Sequence, residues 1–145
     1  MEATLDVRPA RRLRGYLNYS IGRAKDHGTG IQLTNSPDHL FKLGLAAEVS
    51  SRVSAAAELR YESGRRTVQA TRTDPFLIAN LNLDIHPFGR TGAPGALGSF
   101  DGFDLGLRVT NLFDTRYAYP GGTEHVQAGI EQDGRAVMVR MGYEF

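Results

Sequence analysis

Three arginines have the side-chain type and spacing best suited to binding chemistry: Arg65, Arg66 and Arg72. They fall within one polar stretch, 64–75, and guanidinium groups recognise anions through paired hydrogen bonds. We therefore predict that these three are candidates for binding an anionic ligand. An ordinary solvated loop is the competing interpretation, because exposed segments also collect charge.

A second set of side chains that could bind a ligand lies near the C-terminus, at Glu124, His125, Glu131 and Asp133. Structural and catalytic metal sites use recurrent ligand spacings, and this spacing matches none of them. The chain has no cysteine, which excludes disulfide frameworks, thiolate zinc sites and cysteine nucleophiles. We predict no metal site and no cofactor.

The sequence gives no support for catalysis. Serine, histidine and aspartate all occur, but no serine lies in a nucleophile-elbow pattern. Four glycines recur at every third position, but the Gly-Lys-Ser/Thr ending of a phosphate-binding loop does not follow them. These glycines are Gly89, Gly92, Gly95 and Gly98. We predict that the chain is not an enzyme.

Charge also excludes one class of partner. The chain carries 17 Lys and Arg against 16 Asp and Glu, a net charge of +1. Binding to nucleic acid depends on a concentrated basic face that neutralises phosphates, and a balanced chain gives no reason to expect one. We predict no nucleic-acid partner.

The elements that must position these side chains are strands, because apolar and polar residues alternate with a period of two. In the last segment, apolar side chains occupy the odd positions from Val137 to Phe145. Six earlier segments repeat the pattern, at 2–8, 13–22, 41–48, 53–62, 77–85 and 103–110. Most have about the nine to eleven residues that a tilted strand needs to cross a bilayer. We predict seven strands and no helix.

The connections between these strands are alternately short and long. Short connections lie at 8–12 and 50–52, and long polar ones at 25–38, 64–75 and 114–134. Outer-membrane barrels have short periplasmic turns and long extracellular loops, which this pattern matches. The Gly- and Pro-rich connection 86–102 breaks the pattern, and nothing in the sequence explains its length.

Alternation alone does not decide which face of the sheet meets water. A soluble barrel turns its apolar face inward, whereas a membrane barrel turns it towards lipid. The chain ends on Phe145 with Tyr143 two residues before it, and aromatic residues concentrate at membrane–water boundaries. This favours the membrane barrel, although an ordinary edge strand can also carry aromatic residues.

One run of residues sharpens the prediction. Residues 107–117, Leu-Arg-Val-Thr-Asn-Leu-Phe-Asp-Thr-Arg-Tyr, resemble the penultimate barrel strand of TonB-dependent receptors, which ends in Asn-Leu-Phe-Asp followed by a Tyr. Pro-Gly-Gly at 120–122 and the closing Met-Gly-Tyr-Glu-Phe at 141–145 follow in the same order. Weaker similarity occurs at 35–39 and 61–65. The resemblance covers nearly the whole chain and is strongest over 104–145.

This resemblance implies an all-β fold: an antiparallel up-and-down transmembrane β-barrel segment of about seven strands, in the cell outer membrane. Such receptors have large plugged barrels of roughly 22 strands and take up scarce nutrients such as ferric siderophores or cobalamin. Residues 1–145 would then be the C-terminal part of the barrel, without the plug domain and the N-terminal strands. The three loop arginines would face an anionic ferric chelate or lipopolysaccharide phosphates.

The resemblance also implies partners and an assembly signal. The partners would be outer-membrane lipid, the barrel-insertion machinery and, through the missing N-terminal part, the TonB complex. The motif residues would serve architecture and assembly, with the terminal aromatic strand recognised by the insertion machinery. These residues are Asn111, Leu112, Phe113, Asp114, Tyr143 and Phe145.

Two other interpretations stay open at this point. One is a small self-contained outer-membrane or soluble β-barrel that acts as a binding or structural protein. The other is a soluble β-sandwich. Seven strands is an odd number, whereas bacterial single-chain barrels have an even one, which favours an incomplete barrel. The sequence does not predict the substrate.

Overall fold

The computed structural model of the chain describes residues 1–87 and 102–143. Within those ranges the chain forms nine strands and no helix, so it has no helix long and apolar enough to cross a membrane. The strands are β1 (Glu2–Ala10), β2 (Leu13–Ile21), β3 (His39–Glu48), β4 (Val53–Glu62), β5 (Phe76–Ile85), β6 (Phe103–Thr110), β7 (Ala118–Pro120), β8 (Gly129–Glu131) and β9 (Ala136–Tyr143).

Seven of these strands form one antiparallel sheet in the order β1-β2-β3-β4-β5-β6-β9. The predicted all-β fold, an antiparallel up-and-down barrel segment of seven strands that does not close, is thereby confirmed. The remaining two strands, β7 and β8, pair as a small hairpin inside the long loop after β6. This hairpin is not predicted from the sequence, because each strand has only three residues, too few for a period of two to be visible.

Within residues 1–87 and 102–143 the sheet is a single layer, and no second layer covers its apolar face. Leu45 is 46% exposed, Val139 67% and Met141 72%. In a soluble sandwich, a second layer would bury these side chains. The β-sandwich interpretation is therefore wrong.

The polar face of the sheet is its concave side. Two concavities lie along strands β1 to β4, with volumes of about 370 and 700 Å³. Side chains of the polar face, such as Tyr16, Ala46 and Glu58, line most of their walls. The apolar side chains therefore lie on the convex side. In a barrel segment the convex side faces outward, so this curvature is that of a barrel with a polar lumen and an apolar exterior.

Aromatic residues mark both ends of the apolar face. Tyr19, Phe41 and Tyr61 are in register across β2, β3 and β4 near the long loops. Phe103 and Tyr143 are paired at the opposite end, near the short turns. The ten-residue strand β5 spans about 33 Å, or about 23 Å along the membrane normal at a tilt of about 45°. This length matches the apolar band of about 25 Å, flanked by two aromatic girdles, of a membrane barrel.

A tyrosine ties three strands together on the concave side. Tyr16 of β2 lies over Gly44 of β3, and its hydroxyl donates a hydrogen bond to Glu58 Oε2 of β4 at 2.7 Å. A Cβ atom at Gly44 would overlap the tyrosine ring. The glycine is therefore required by the close approach of the ring, an arrangement in which an aromatic side chain covers a strand glycine.

Replacement of Gly44 by alanine is expected to destabilise the sheet by about 1–3 kcal/mol, because the ring must move and its bond to Glu58 breaks. Urea unfolding of the protein in lipid vesicles would measure this effect. Gly22→Ala is the matched control, because a Cβ atom there meets nothing within 4 Å. Equal unfolding midpoints for the two variants would contradict the prediction.

Candidate functional site at the loop end of the sheet

A buried carboxylate organises the loop end of β4. Glu62 is 3% exposed and forms ion pairs with Arg60, at 3.6 Å, and with Arg65. One carboxylate thus pairs with two guanidinium groups, so the cluster of Arg60, Glu62 and Arg65 carries a net positive charge. The Nε atoms of both arginines are buried and have no hydrogen-bond partner.

An aromatic group packs against these charges. Phe76 of β5 lies 4.5 Å from Tyr117 and 5.7 Å from Tyr119, measured between ring centroids. The guanidinium of Arg65 lies 4.5 Å from the centre of the Tyr119 ring, and that of Arg60 lies 5.8 Å from the centre of the Phe76 ring. Contacts of this kind between a cation and an aromatic ring are worth about 1–2 kcal/mol when shielded from water.

These contacts attach the β7–β8 hairpin to the concave wall. The Tyr119 hydroxyl accepts a hydrogen bond from Arg60 Nη2 at 2.9 Å. Burial, followed by the negative charge of Glu62, raises the pKa of this hydroxyl, so it remains neutral. Phe76 and Ile78 are each 5% exposed beneath the hairpin. The last long loop therefore lies against the inner side of the barrel wall rather than extending into solvent.

The three predicted loop arginines have different surroundings. Arg65 is paired with Glu62 and also donates to Asn35 Oδ1 at 2.8 Å. Arg72 is paired with Asp38 at 3.0 Å. Only Arg66, among these three, makes no side-chain hydrogen bond or ion pair with the described residues. Their role in binding an anion stays a prediction, and Arg66 is the one whose charge is uncompensated.

Hydrogen bonds connect the three long loops, which are the β2–β3 loop, the β4–β5 loop and the loop after β6. Arg72 links the β4–β5 loop to the β2–β3 loop through Asp38 and Gln32. Gln69 of the β4–β5 loop donates to the carbonyl of Val126 in the last loop at 2.9 Å. The loops thus form one connected surface at this end of the sheet.

A polar cleft of about 270 Å³ opens between the last two of these loops. Its walls combine two cations, two carboxylates, three threonine hydroxyls and one tyrosine. The lining residues that carry these groups are Arg72, Arg116, Asp74, Glu131, Thr67, Thr71, Thr73 and Tyr117. Such a set can hydrogen-bond a polar ligand with several donors and acceptors, and we take it as the candidate binding site.

The Asn-Leu-Phe-Asp motif forms a turn at the end of β6. Asn111 is 3% exposed and has a φ of 49°. Its side-chain amide donates to the carbonyls of Thr115, at 2.9 Å, and Asp133, at 3.4 Å, and its Oδ1 accepts from the Thr115 N–H at 2.9 Å. Asparagine is suited to this position because it tolerates positive φ better than most residues.

The rest of the motif fixes both ends of the last loop. The Leu112 N–H donates a hydrogen bond to the carbonyl of Ala79 at 2.8 Å, which continues the pairing of β5 and β6 past the end of β6. Asp114 Oδ1 accepts from the backbone N–H of Arg135, the residue before β9, at 2.7 Å. Phe113 is 67% exposed. Apart from the Asn111 N–H, which donates to Asn80 Oδ1 at 3.1 Å, the described hydrogen bonds of this motif are thus with the backbone of the sheet and the loop.

The remaining predicted site residues give less information. Tyr143 ends β9 on the apolar face, opposite Phe103. Phe145 lies outside the described residues, as do the glycines of the Gly- and Pro-rich connection and most of that connection. Glu124 and His125 lie 3.2 Å apart, but no group of three or more His, Cys, Asp or Glu side chains in the described ranges could hold a metal ion.

The fold matches the barrels of solved transport receptors. The ferric-catecholate import receptor Fiu from E. coli K12 superposes with a TM-score of 0.75, at 19% identity, over 99% of this chain and 20% of that one. The siderophore receptor PiuA from Acinetobacter baumannii superposes with a TM-score of 0.71, at 14% identity, over 98% of this chain and 21% of that one. The copper transporter OprC superposes with a TM-score of 0.71, at 15% identity, over 99% of this chain and 23% of that one.

These neighbours are TonB-dependent receptors. The chain has the fold of a segment of their barrel. It spans about a fifth of the length of the receptors that it matches. No protein-family model matches the sequence, and a search of curated proteins finds no significant relative.

The buried cluster of Arg60, Glu62 and Arg65 is not predicted from the sequence. Alternation places Arg60 and Glu62 on the polar face of β4, and the structure buries Glu62 under the hairpin. Alternation assigns a side chain to a face of the sheet but does not show what covers that face. One signal was available: two tyrosines at 117 and 119 precede Pro-Gly-Gly in a loop otherwise rich in polar residues.

Proposed function

We propose that this chain is the C-terminal part of a TonB-dependent outer-membrane receptor that takes up a scarce nutrient, such as a ferric siderophore or cobalamin. The observation that carries the proposal is a match to receptor barrels over 98–99% of the chain, with the convex face apolar and bordered by aromatic rows. The outer membrane is the location that fits such a face, since lipid there replaces the missing second layer.

The partners follow from the same proposal. Outer-membrane lipid contacts the convex face, and the barrel-insertion machinery assembles the strands. The TonB complex acts through a plug and N-terminal segment elsewhere in the receptor. The proposal includes no catalytic step.

For the substrate we favour a ferric siderophore. Two of the matched receptors carry siderophore or ferric-catecholate import in their names, and the loop cleft offers cations and hydroxyls to an anionic, oxygen-rich chelate. Arg116 lines this cleft, and Arg66 lies outside it in the β4–β5 loop. Neither side chain has a charged partner in the described part of the chain, and we expect these two cations to meet such an anion.

Uptake measurements would test this function. Cells lacking the gene should lose energised uptake of at least one radiolabelled ferric siderophore under iron limitation, and the wild-type gene should restore it. An R66Q/R116Q variant should raise the KM for uptake several-fold with little change in the amount of receptor. Unchanged uptake of ferric siderophores and of cobalamin by the deleted strain would overturn the proposal.

Deletion of Phe145 is expected to lower the amount of protein in the outer membrane several-fold, because the insertion machinery would recognise the terminal aromatic strand. Quantitative immunoblotting of outer-membrane fractions would measure this amount. Phe145→Tyr is the control, since it retains an aromatic end. Equal assembly of the deletion variant and the wild type would count against an assembly role for Phe145.

A further inference from the structure

We propose that four arginines on the concave wall form a second site for the anionic ferric chelate, occupied as it leaves the barrel at the short-turn end. These residues, here called the arginine cluster, lie in and beside the turn between β1 and β2: Arg8, Arg11, Arg12 and Arg14. The inference rests on the proposed function, because it assigns the same substrate a second site on the luminal side of the wall.

The charges of the arginine cluster are uncompensated. All four residues are exposed, and none makes a side-chain hydrogen bond or ion pair with the described residues. Other arginines of the concave wall have acidic partners, since Arg60 pairs with Glu62, and Arg140 pairs with Asp84 and Asp104. The guanidinium groups of the arginine cluster therefore keep their hydrogen-bond donors available for a ligand.

The arginine cluster surrounds one recess in the luminal wall. All four arginines line a single concavity of about 370 Å³, a volume within the range of small-molecule sites. Small side chains form its floor, because Arg14 pairs with Ala46 of β3, and Ala46 pairs with Ala56 of β4. The alanines leave the space beside the guanidinium groups open. A carboxylate, catecholate or phosphate group in this space would accept paired hydrogen bonds from them.

The first hairpin brings two of these charges side by side. Val7 pairs with Gly15, and a register shift follows towards the turn. Arg8 and Arg14 are thus neighbours on the polar face, and both line the same two concavities. Like charges on neighbouring strands repel each other. A bound anion relieves this repulsion and a neutral ligand does not, so the arginine cluster selects its ligand by charge.

The recess continues along the lumen towards the loop end. A second concavity of about 700 Å³ shares four lining residues with the first: Arg8, Arg14, Ala46 and Ala56. Nearer the loops, Lys42 of β3 is in register with Arg60 of β4, and its side chain makes no hydrogen bond or ion pair with the described residues. Cations therefore recur on the concave wall from the loop end to the short turns, along the path that a substrate in the lumen would follow.

Acidic side chains limit how tightly the arginine cluster holds an anion. Glu48 and Asp84 line the same concavity, and Asp6 and Glu58 line the neighbouring one. These carboxylates repel an anion in the recess and lower its affinity. A site on a transport path must bind strongly enough for entry and weakly enough for release. The mixed charge of this wall therefore fits a site of passage.

Equilibrium dialysis of the full-length receptor, purified from outer membranes in detergent, would detect the second site. The probe is a radiolabelled ferric tris-catecholate, which is anionic, and a neutral ferric trihydroxamate is the comparison. The R8Q/R14Q variant should bind the anionic chelate at least about ten-fold more weakly at its weaker site. Its binding of the neutral chelate should equal that of the wild type.

Two variants are the controls for the dialysis. R66Q/R116Q makes the same charge change at the loop end and should keep the weaker site. R52Q removes a charge at the short-turn end, from an exposed residue of the β3–β4 turn that does not line the recess, and should also keep it.

Uptake kinetics in cells would test the passage of the substrate. For the radiolabelled ferric siderophore that wild-type cells take up, R8Q/R14Q should lower Vmax per receptor several-fold and leave KM unchanged. The reason is that the arginine cluster acts after the substrate has bound at the loops. R66Q/R116Q should instead raise KM, and R52Q should change neither constant.

The outcomes separate this inference from the proposed function. Equal chelate binding, or equal Vmax, in R8Q/R14Q and R52Q overturns the second site and leaves the receptor proposal standing. Displacement of the chelate by an equal concentration of inorganic phosphate also overturns it, by showing a site for small oxyanions. A smaller amount of receptor with unchanged uptake per receptor overturns it too, by assigning the arginines to an acidic segment of the receptor itself. Wild-type cells that take up no ferric siderophore would overturn both proposals.

Discussion

Replacement of Glu62 by glutamine is expected to release the β7–β8 hairpin from the barrel wall. The carboxylate is the single anion between Arg60 and Arg65, and both guanidinium groups contact the aromatic rings that hold the hairpin. Removal of one partner of a buried ion pair costs about 3–5 kcal/mol, because the other charge remains without compensation. Two arginines are affected here.

Hydrogen exchange would measure this release. The hairpin amides pair between Gly121 and Ala128 and between Gln132 and Tyr117, so peptides that cover 117–132 report on it directly. A loss of about 3 kcal/mol corresponds to exchange roughly 100-fold faster. Peptides from β3 should change little, because their hydrogen bonds belong to the main sheet.

Glu48→Gln is the matched control for this experiment. It makes the same chemical change at an exposed residue of the same sheet that has no ion-pair partner in the described ranges, and exchange in the hairpin should match that of the wild type. If Glu62→Gln and Glu48→Gln gave the same hairpin exchange, the carboxylate would not anchor the loop.

Replacement of Asn111 by alanine is expected to destabilise the barrel segment by about 3 kcal/mol. The change removes three side-chain hydrogen bonds and leaves the half-buried Thr115 N–H without its partner, which costs about 1–3 kcal/mol. It also places a residue with a Cβ and no polar group at a φ of 49°, which adds about 1 kcal/mol. Urea unfolding from lipid vesicles would measure the sum.

Two further variants divide this cost between its causes. Asn111→Gly loses the same hydrogen bonds but tolerates positive φ, so it should be about 1 kcal/mol less harmful than Asn111→Ala. Asn82→Ala is the control, because Asn82 lies on the polar face and has no side-chain hydrogen bond within the described residues. An Asn111→Ala midpoint equal to that of Asn82→Ala would show that the motif does not support the loop.

Both predictions concern the same long loop, and together they explain why it is ordered. The Asn111 turn fixes the two ends of the loop near the sheet, whereas Glu62 and its arginines fix the hairpin in the middle. A loop fixed in this way forms one wall of the polar cleft. Binding at the cleft would therefore depend on Glu62, although Glu62 does not line it.

The sequence by itself determined the main sheet. Strict alternation over 8–10 residues has one physical cause, a strand with two different faces, so all seven long strands could be located. It also indicated that a strand ends at Asn111 to Asp114, because that composition resembles a known strand end. The composition alone excluded disulfides, thiolate metal sites and cysteine nucleophiles, because the chain has no cysteine.

Tertiary structure alone decided which face is outside and what covers the other. Whether Leu45 and Val139 meet lipid or a core depends on the sign of the sheet curvature, which a period of two does not contain. The burial of Glu62 depends on a hairpin more than fifty residues away along the chain, and contacts at that separation leave no local pattern in the sequence. The same reason hid the pairing of Arg72, since its carboxylate partner Asp38 lies 34 residues earlier, in another loop.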